Sequence, residues 1–335
     1  MRTTTWWMLS SVLIVLATLV SIVALVPDLG PVRALSMVTP FAQLIAFSAI
    51  LGCGAGLFGL VFLLSACIIK RGRRYPFTIG LAWLIAGICF VLFPAGMTLP
   101  PPETSPVNAQ TITVATFNSG SALTSTDIDT LVRSYAPNVI VLPETSGPEL
   151  DDAVAGSGFH GSVYTVPDDG FPSTYTGDID PTSVLVSTQL GPAQVIDGPM
   201  TSFGTVAIRF SDPSLPIVIG LHTAPPLPSI VHEWRSDLDR VIAFGEHSNT
   251  PLILAGDFNA TLRHGPMATR TRLIDTAQQC GRFPQGTWPT AFPREFRSQI
   301  DHVMLSPNMV AHTCAVVDIG QSDHAAYIAT IAMTL

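Results

Sequence analysis

The sequence has very little positive charge for its length. Its 335 residues contain 16 lysines and arginines against 24 acidic residues, and Lys70 is the only lysine. From residue 101 onward there are 10 arginines and 23 acidic residues, a formal net charge of −13. Proteins that follow a nucleic-acid backbone neutralise its phosphates with lysine and arginine. This deficit argues against nucleic acid as a partner, and the acidity suits either a divalent-cation site or a soluble exported domain.

Charge of either sign is scarce in the first 100 residues, which contain three long apolar runs. The runs lie at about 8–27, 41–69 and 77–97. Each reaches the roughly 20 residues that span a bilayer, and none has the polar face of a helix in a soluble core. We predict three transmembrane helices, with a cleaved signal peptide for the first run and a re-entrant hairpin for the second as alternatives. Gly52 and Gly56 have a spacing that lets a neighbouring helix approach closely.

The basic residues that the first 100 positions do contain are concentrated in one short loop. The segment KRGRR, Lys70 to Arg74, lies between the second and third runs, whereas the loop at 28–40 has only Arg33 against Asp28. Short positively charged loops stay in the cytoplasm. We therefore predict a multi-pass plasma-membrane protein whose chain lies outside the cytoplasm after Met97.

The proline-rich segment at 98–110 is predicted to be a stiff linker. Residues 111–335 have the composition and size of one globular domain. No internal repeat is visible in it. Of five cysteines, Cys280 and Cys314 are the only two in this domain. Because a disulfide persists outside the cytoplasm, we expect these two to be bonded.

Short β-rich runs alternate with few amphipathic helices in residues 111–335. This pattern predicts an α/β domain of layered sheets flanked by helices. Helices are predicted at 125–136 and 229–247, and strands at 111–117, 138–144, 182–188, 205–210, 217–222, 251–259, 300–306, 312–319 and 325–333.

Polar residues fall repeatedly at the ends of these predicted strands. The segment LILAGDFNAT, residues 253–262, follows a buried strand with Asp257 and Asn259, two positions apart and therefore on the same side of the chain. Each such residue alone could be a turn or cap, but their recurrence, always as Asp, Glu, Asn or His, indicates a site. The members are Asn118, Glu144, His222, Asp257, Asn259, Asp301, Asp323 and His324.

The order of these residues resembles the metal-dependent endonuclease/exonuclease/phosphatase superfamily. The matching segments, in family order, are TFN (116–118), LPE (142–144), LHTAPP (221–226), GDFNA (256–260), QIDHVMLS (299–306) and SDH (322–324). The resemblance implies a four-layer sandwich, with two packed β-sheets between outer helices and the site at one end of the sheets. The three-span layout resembles a bacterial membrane branch associated with glycopeptide-antibiotic resistance, which implies cell-wall lipid carriers as substrates.

The resemblance also implies a role for each residue. Glu144, Asp323 and Asn118 would bind Mg²⁺ or Mn²⁺, which prefer oxygen ligands, and Asn118 could instead bind a phosphate oxygen. Asp257 would orient or deprotonate the attacking water, and Asn259 would hold a phosphoryl oxygen. His324, oriented by Asp301, would donate to the transition state or share the role of base, and His222 would be a second catalytic histidine. The remaining histidines are interpreted as surface or structural: His160, His232, His247, His264, His302 and His312.

The sequence thus predicts a membrane-anchored, divalent-metal-dependent phosphoesterase. Its substrate would be an amphiphilic phosphate, either a lipid-linked phosphate or pyrophosphate or a phospholipid head group, hydrolysed outside the cytoplasm and beside the bilayer. The segment LHTAPP favours one alternative, a deoxyribonuclease-like nuclease. A non-catalytic binding module of the cell envelope is an alternative of another class. The sequence indicates no protein partner.

Overall fold

A computed structural model describes residues 2–69, 71–94, 110–145, 147–166, 179–281 and 286–333. The chain forms two compact units. The first consists of Met1–Leu99 together with Leu262–His264, and the second of Pro100–Thr261 and Gly265–Leu335. Lys70, the end of the third apolar run at 95–97 and all of the predicted linker except Gln110 lie outside the described residues.

The first unit is helical. Its helices are α1 (Arg2–Leu25), α2 (Gly30–Ser36), α3 (Phe41–Ala46), α4 (Ser48–Ile68) and α5 (Arg74–Leu92). Three of these, α1 from Trp6 onward, α4 and α5, are long and apolar enough to cross a membrane, which indicates membrane association. The apolar run at 41–69 forms two helices instead of one, because Phe47, with φ −97° and ψ 53°, leaves helical geometry between α3 and α4.

Small residues allow α4 and α5 to approach closely. A β-carbon on Gly87 would lie 2.6 Å from the carbonyl oxygen of Gly52 and 2.7 Å from the nitrogen of Gly56. Gly59 and Gly80 meet in the same way further along, so the two helices run antiparallel. The predicted role is therefore confirmed for Gly52, where a β-carbon would lie 3.0 Å from the carbonyl oxygen of Gly87, whereas a β-carbon on Gly56 would meet no atom within 4 Å.

Arg263, in the short segment Leu262–His264, donates hydrogen bonds to backbone carbonyls at the ends of two helices of the first unit. Its guanidinium donates to the carbonyls of Val23 and Ala24 in the last turn of α1, at 2.9 and 2.7 Å. It also donates to the carbonyls of Phe93 and Pro94, just after α5. The last carbonyls of a helix have no partner within the helix, so the arginine caps both ends.

The second unit contains two six-stranded sheets. Its strands are β1 (Thr111–Thr116), β2 (Val139–Leu142), β3 (Gly161–Thr165), β4 (Ser183–Ser187), β5 (Ala193–Ile196), β6 (Thr205–Phe210), β7 (Ile217–His222), β8 (Leu252–Asp257), β9 (Ile274–Asp275), β10 (Asp301–Leu305), β11 (Met309–Val317) and β12 (Ala326–Met333). Its helices are α6 (Ser125–Tyr135), α7 (Gly147–Ala155), α8 (Val231–His247), α9 (Gly265–Thr269) and α10 (Thr276–Gln279).

The sheets have the orders β11-β12-β1-β2-β4-β3 and β5-β6-β7-β8-β10-β9. Valines and isoleucines from both inner faces form a core between them, including Val114 and Val141 of the first sheet and Val218 and Ile253 of the second. On the outside, α6 buries Ile128 and Leu131 in a second core with residues of the first sheet. On the second sheet, Gly245 of α8 faces Leu254 of β8. The predicted two-sheet sandwich with outer helices is confirmed.

A disulfide joins Cys280, just after α10, to Cys314 in β11, with 6.0 Å between their α-carbons. The predicted bond is therefore present. It ties β11, at the edge of the first sheet, to a segment that follows β9, at the edge of the second. A bond that closes a loop of 34 residues restricts the unfolded chain and so stabilises the fold.

Candidate active site

The ends of three neighbouring strands position the acidic centre of the site. His222, the last residue of β7, pairs in parallel register with Asp257, the last residue of β8. Asp301, the first residue of β10, pairs with Asp257 in antiparallel register. Because paired residues of adjacent strands lie side by side, three segments far apart in sequence place their polar side chains together at one end of the second sheet.

Gly256 is the residue that permits this arrangement directly before Asp257. Its φ is +144°, and a β-carbon at this position would lie 1.9 Å from the carbonyl oxygen of Leu221. Only glycine combines this backbone conformation with such a close approach. The glycine of GDFNA is therefore required by strand packing.

The first sheet contributes Asn118 and Glu144, which follow the parallel strands β1 and β2. The amide nitrogen of Asn118 donates to Glu144 Oε1 at 3.0 Å and to Asp257 Oδ2 at 3.1 Å. Its amide oxygen accepts from the backbone N–H of Gly120. This fixes the orientation of the amide, so Asn118 links the carboxylates contributed by the two sheets.

Asn259 is held against His222 by the turn that follows β8. Its backbone N–H donates to Asp257 Oδ1 at 2.7 Å. Its side-chain nitrogen donates to the carbonyl of Thr223 at 2.9 Å and lies 3.3 Å from His222 Nε2. Asn259 and Glu144 both have positive φ, 47° and 53°. Such conformations are uncommon outside glycine and cluster at functional sites.

His324, directly before β12, forms a carboxylate–imidazole pair with Asp301. Its Nδ1 lies 2.9 Å from Asp301 Oδ2, and its Nε2 lies 3.8 Å from Asp257 Oδ2. Burial lowers the pKa of His324, but the carboxylates of Asp301, Asp257 and Asp323 outweigh burial and raise it to about 10. The imidazole is therefore protonated at neutral pH and donates to Asp301.

The two other titratable groups at the centre respond to burial in opposite ways. Burial, assisted by the charge on His324, lowers the pKa of His222 to about 3. Burial and the charge on Asp301 raise the pKa of Asp257 to about 7. His222 is thus a neutral imidazole, and Asp257 can gain or lose a proton near neutrality, as a general base requires.

The charge of the site favours a bound cation. The centre contains four carboxyl groups: Asp257, Asp301 and Asp323 act on His324, and Glu144 is joined to Asp257 through the amide of Asn118. The donors are hard oxygen atoms, the type that Mg²⁺ and Mn²⁺ prefer. Ligand atoms of Asp257, Asp301 and His324 lie within 4.8 Å of one another, close enough to surround one cation. The residues present therefore fit a divalent cation held by carboxylates, and the specific ligands Glu144, Asp323 and Asn118 remain a prediction.

Asp323 has a partner that the sequence patterns did not reveal. Trp288 Nε1 donates to Asp323 Oδ2 at 2.8 Å. The indole also lies beside the ring of His324, with 6.4 Å between centroids. Trp288 lies in the loop before β10, among residues without periodicity, and no polar residue at a strand end pointed to it.

A second buried pair supports the turn that contains Asn259. His302 Nδ1 lies 2.6 Å from Asp275 Oδ2, and His302 Nε2 lies 2.8 Å from the carbonyl of Ala260. Both nitrogens face oxygen acceptors and both side chains are fully buried. His302 is thus structural, as interpreted from the sequence. His264 is also buried, whereas His160, His232, His247 and His312 are exposed.

Comparison with known proteins identifies the fold and the family. Residues 115–324, more than half of the chain, match the Endonuclease/Exonuclease/phosphatase family. No curated protein sequence matches the chain significantly. D. rerio TDP2, solved in complex with a single-strand DNA product, is 15% identical and has a TM-score of 0.51, over 66% of this chain and 99% of that one. A family protein from Bacteroides thetaiotaomicron is 17% identical and has a TM-score of 0.50, over 68% and 97%.

The chain therefore belongs to the Endonuclease/Exonuclease/phosphatase family, whose members are metal-dependent phosphoesterases and nucleases. Because their sequence identity to the chain is low, these structures show only that the chain shares their fold. Membership favours an enzyme over the non-catalytic binding module.

Proposed function

We propose that the chain is a membrane-anchored, divalent-metal-dependent phosphoesterase that hydrolyses the phosphate of an amphiphilic lipid outside the cytoplasm. The observation that carries the proposal is the combination of three helices able to cross a membrane with a formal net charge of −13 from residue 101 onward. A membrane anchor raises the effective concentration of the site toward lipid head groups. The acidic unit lacks the basic residues with which proteins follow nucleic acid.

The contacts at the site support a defined role for each residue. Asp257, with a pKa raised to about 7, would take a proton from the attacking water. Protonated His324, oriented by Asp301, would donate to a phosphoryl oxygen as charge develops on it. Asn259 and the neutral His222 would position the same phosphoryl group. Glu144 and Asp323, with Asn118, would hold the cation, which when bound would neutralise the phosphate charge.

Hydrolysis by the full-length protein in liposomes tests the substrate. We expect a lipid-embedded phosphate to be hydrolysed with a kcat/KM about 10²-fold higher than that of a soluble ester with the same head group. EDTA should stop both reactions, and Mg²⁺ or Mn²⁺ should restore them, because the site contains hard oxygen donors. The control is the Asp257→Asn variant in the same liposomes. Equal kcat/KM for embedded and soluble substrates would contradict the proposed substrate.

A nuclease is the second candidate, because the segment LHTAPP is typical of deoxyribonuclease-like members and D. rerio TDP2 was solved with a DNA product. The liposome experiment should therefore include single- and double-stranded DNA at two salt concentrations. Metal-dependent cleavage that weakens steeply with salt would favour the nuclease.

Orientation is tested by reporters fused after Leu335. Because the basic loop at 70–74 should stay in the cytoplasm, we expect a fused alkaline phosphatase to be active and a fused green fluorescent protein to be dark. A matched variant with Lys70, Arg71, Arg73 and Arg74 changed to glutamine should lose this preference. Bright fluorescence with the unchanged loop would show a cytoplasmic catalytic unit and would overturn the topology.

A further inference from the structure

Helix α8 has an aspartate on its buried face. The buried residues of this helix follow helical spacing and are Trp234, Asp237, Leu238, Val241, Ile242 and Gly245. Asp237 is the only charged residue among them, and it has no exposed surface. Burying a charge costs free energy unless polar partners replace the lost water. The carboxylate of Asp237 must therefore have strong partners within the protein.

These partners join the segment before β6 to the segment after β7. Asp237 Oδ2 accepts from the backbone N–H of Ser202 at 2.9 Å and from that of Ala224 at 3.0 Å. Its Oδ1 accepts from Arg240, three residues further along α8, at 2.8 Å. Hydrogen bonds to an ionised acceptor are roughly twice as strong as neutral ones. One carboxylate thus holds both segments to the same helix.

Each of the two segments contacts a residue of the candidate active site. Phe203, directly after the first N–H donor, donates its own N–H to the carbonyl of His222 at 3.3 Å. Its ring also lies beside the imidazole of His222, with 5.0 Å between centroids. Thr223, directly before the second donor, accepts from Asn259 Nδ2 at 2.9 Å through its carbonyl. The groups that contact His222 and Asn259 are therefore each one residue away from a hydrogen bond to Asp237.

We propose that Asp237 is a positioning residue, which holds His222 and Asn259 in place through the two segments that it joins. The inference rests on the proposed function, because these two side chains are the ones proposed to position the phosphoryl group. Asp237 acts through the backbone of the segments and not on the substrate. Misplacement of a reacting group by about 1 Å can lower a rate about 10²-fold, so loss of these hydrogen bonds should reduce turnover.

Stability does not account for the charge of Asp237. Burial raises the pKa of this carboxyl above its ordinary value, although the N–H groups of Ala224 and Ser202 and the charge on Arg240 act to lower it. The ionised carboxylate is therefore less stable in the folded state than in the unfolded state, which lowers the free energy of unfolding at neutral pH. Removal of the charge alone should leave the protein folded.

Asp237→Asn tests the proposal, and Asp239→Asn, which changes an exposed aspartate of the same helix, is the matched control. Asparagine has almost the same shape but cannot satisfy all three donors, because its amide nitrogen must face either Arg240 or the two backbone N–H groups. We expect Asp237→Asn to lower kcat on a soluble phosphate ester by about 10- to 10²-fold. Asp239→Asn should not change it. An unchanged kcat in Asp237→Asn would overturn the proposal.

Double substitutions distinguish positioning from a general loss of folded protein. In a His222→Ala or Asn259→Ala background, Asp237→Asn should lower kcat by a clearly smaller factor than in the unsubstituted protein, since residues that act through one another are non-additive. In an Asp301→Asn background it should cause its full loss, because Asp301 contacts His324. The same factor in all three backgrounds would show that Asp237 acts through neither side chain.

Modification of histidines by diethyl pyrocarbonate gives a readout independent of activity. His222 is buried, so it should react slowly in the unsubstituted protein. Asp237→Asn should raise its rate about tenfold, measured by mass spectrometry, because a hydrogen bond to a charged group is lost. His302, which is also buried, should stay slow and so show that the rest of the unit remains folded. Unchanged protection of His222 would overturn the proposal.

Failure of the proposed function gives a different result. If the protein hydrolyses no phosphate ester with any divalent metal ion, the proposed function is wrong, and the modification rates still decide whether Asp237 holds His222 in place. If Asp237→Asn hydrolyses esters as fast as the unsubstituted protein, the proposed function stands and only the role of Asp237 is wrong.

Discussion

Asp257→Asn is expected to lower kcat by about 10²–10⁴-fold, the usual contribution of a general base. Asparagine has almost the same shape as aspartate but cannot take a proton from water at neutral pH. The change is best measured as kcat on a soluble phosphate ester under saturating metal. Asp212→Asn is the matched control, because Asp212 is exposed and its side chain accepts from the backbone N–H and the hydroxyl of Ser214 in its own turn.

The same substitution should leave the fold intact. Burial raises the pKa of Asp257. The ionised carboxylate is therefore less stable in the folded state than in the unfolded state, which lowers the free energy of unfolding at neutral pH. Asparagine carries no charge, so the variant does not have this loss of stability. Asparagine also retains an oxygen that can accept from Asn259. We expect a thermal midpoint equal to or above that of the unsubstituted protein. A folded variant that keeps near-normal turnover would remove Asp257 from the role of base.

His324→Ala is expected to reduce kcat by a similar factor of about 10²–10⁴, because it removes the imidazole that is proposed to donate a proton to the phosphoryl oxygen. The measurement is again kcat on a soluble ester, and His232→Ala, which changes an exposed histidine, is the control. Adding imidazole to His324→Ala should restore part of the activity if the lost group acted through its proton.

Substitution of Asp301 tests whether this residue acts through His324. It contacts His324 at 2.9 Å, and its proposed role is to orient that histidine. Asp301→Asn alone should therefore lower kcat, whereas adding it to His324→Ala should lower kcat little further, since residues that act as a unit are strongly non-additive. Independent, multiplicative losses would show that Asp301 acts on the substrate or metal directly, and not through His324.

The central strands were predictable from sequence because they are buried on both faces. Every residue of β2, β7 and β8 is buried, and such strands appear as continuous aliphatic runs. The short edge strands β3 and β5 were not predicted, because their residues are mostly exposed and their composition resembles that of loops. The division of the run at 41–69 was missed for a related reason, since the break at Phe47 carries no polar or proline signal.

The sequence predicted which residues form the candidate site, but it did not predict which of them contact each other. Polar residues at the ends of predicted strands were sufficient to name eight residues. Contacts in the structure connect seven of them, and the charge of the eighth, Asp323, acts on His324. The sequence did not predict that Trp288 contacts Asp323 or that His302 and Asp275 support the turn at Ala260. These contacts join loops and strands that meet only after folding. A tryptophan in a loop and a histidine within a strand look the same in sequence whether or not they contact a catalytic residue.

Sequence alone determined the apolar helices, the acidic second unit and the order of the polar strand ends, because each is a property of residue type and spacing along one segment. Tertiary structure alone decided which nitrogen of His324 faces Asp301, that Asn118 bridges Glu144 and Asp257, and that His222 and His324 differ in charge. These depend on burial and on distances between segments up to 139 residues apart.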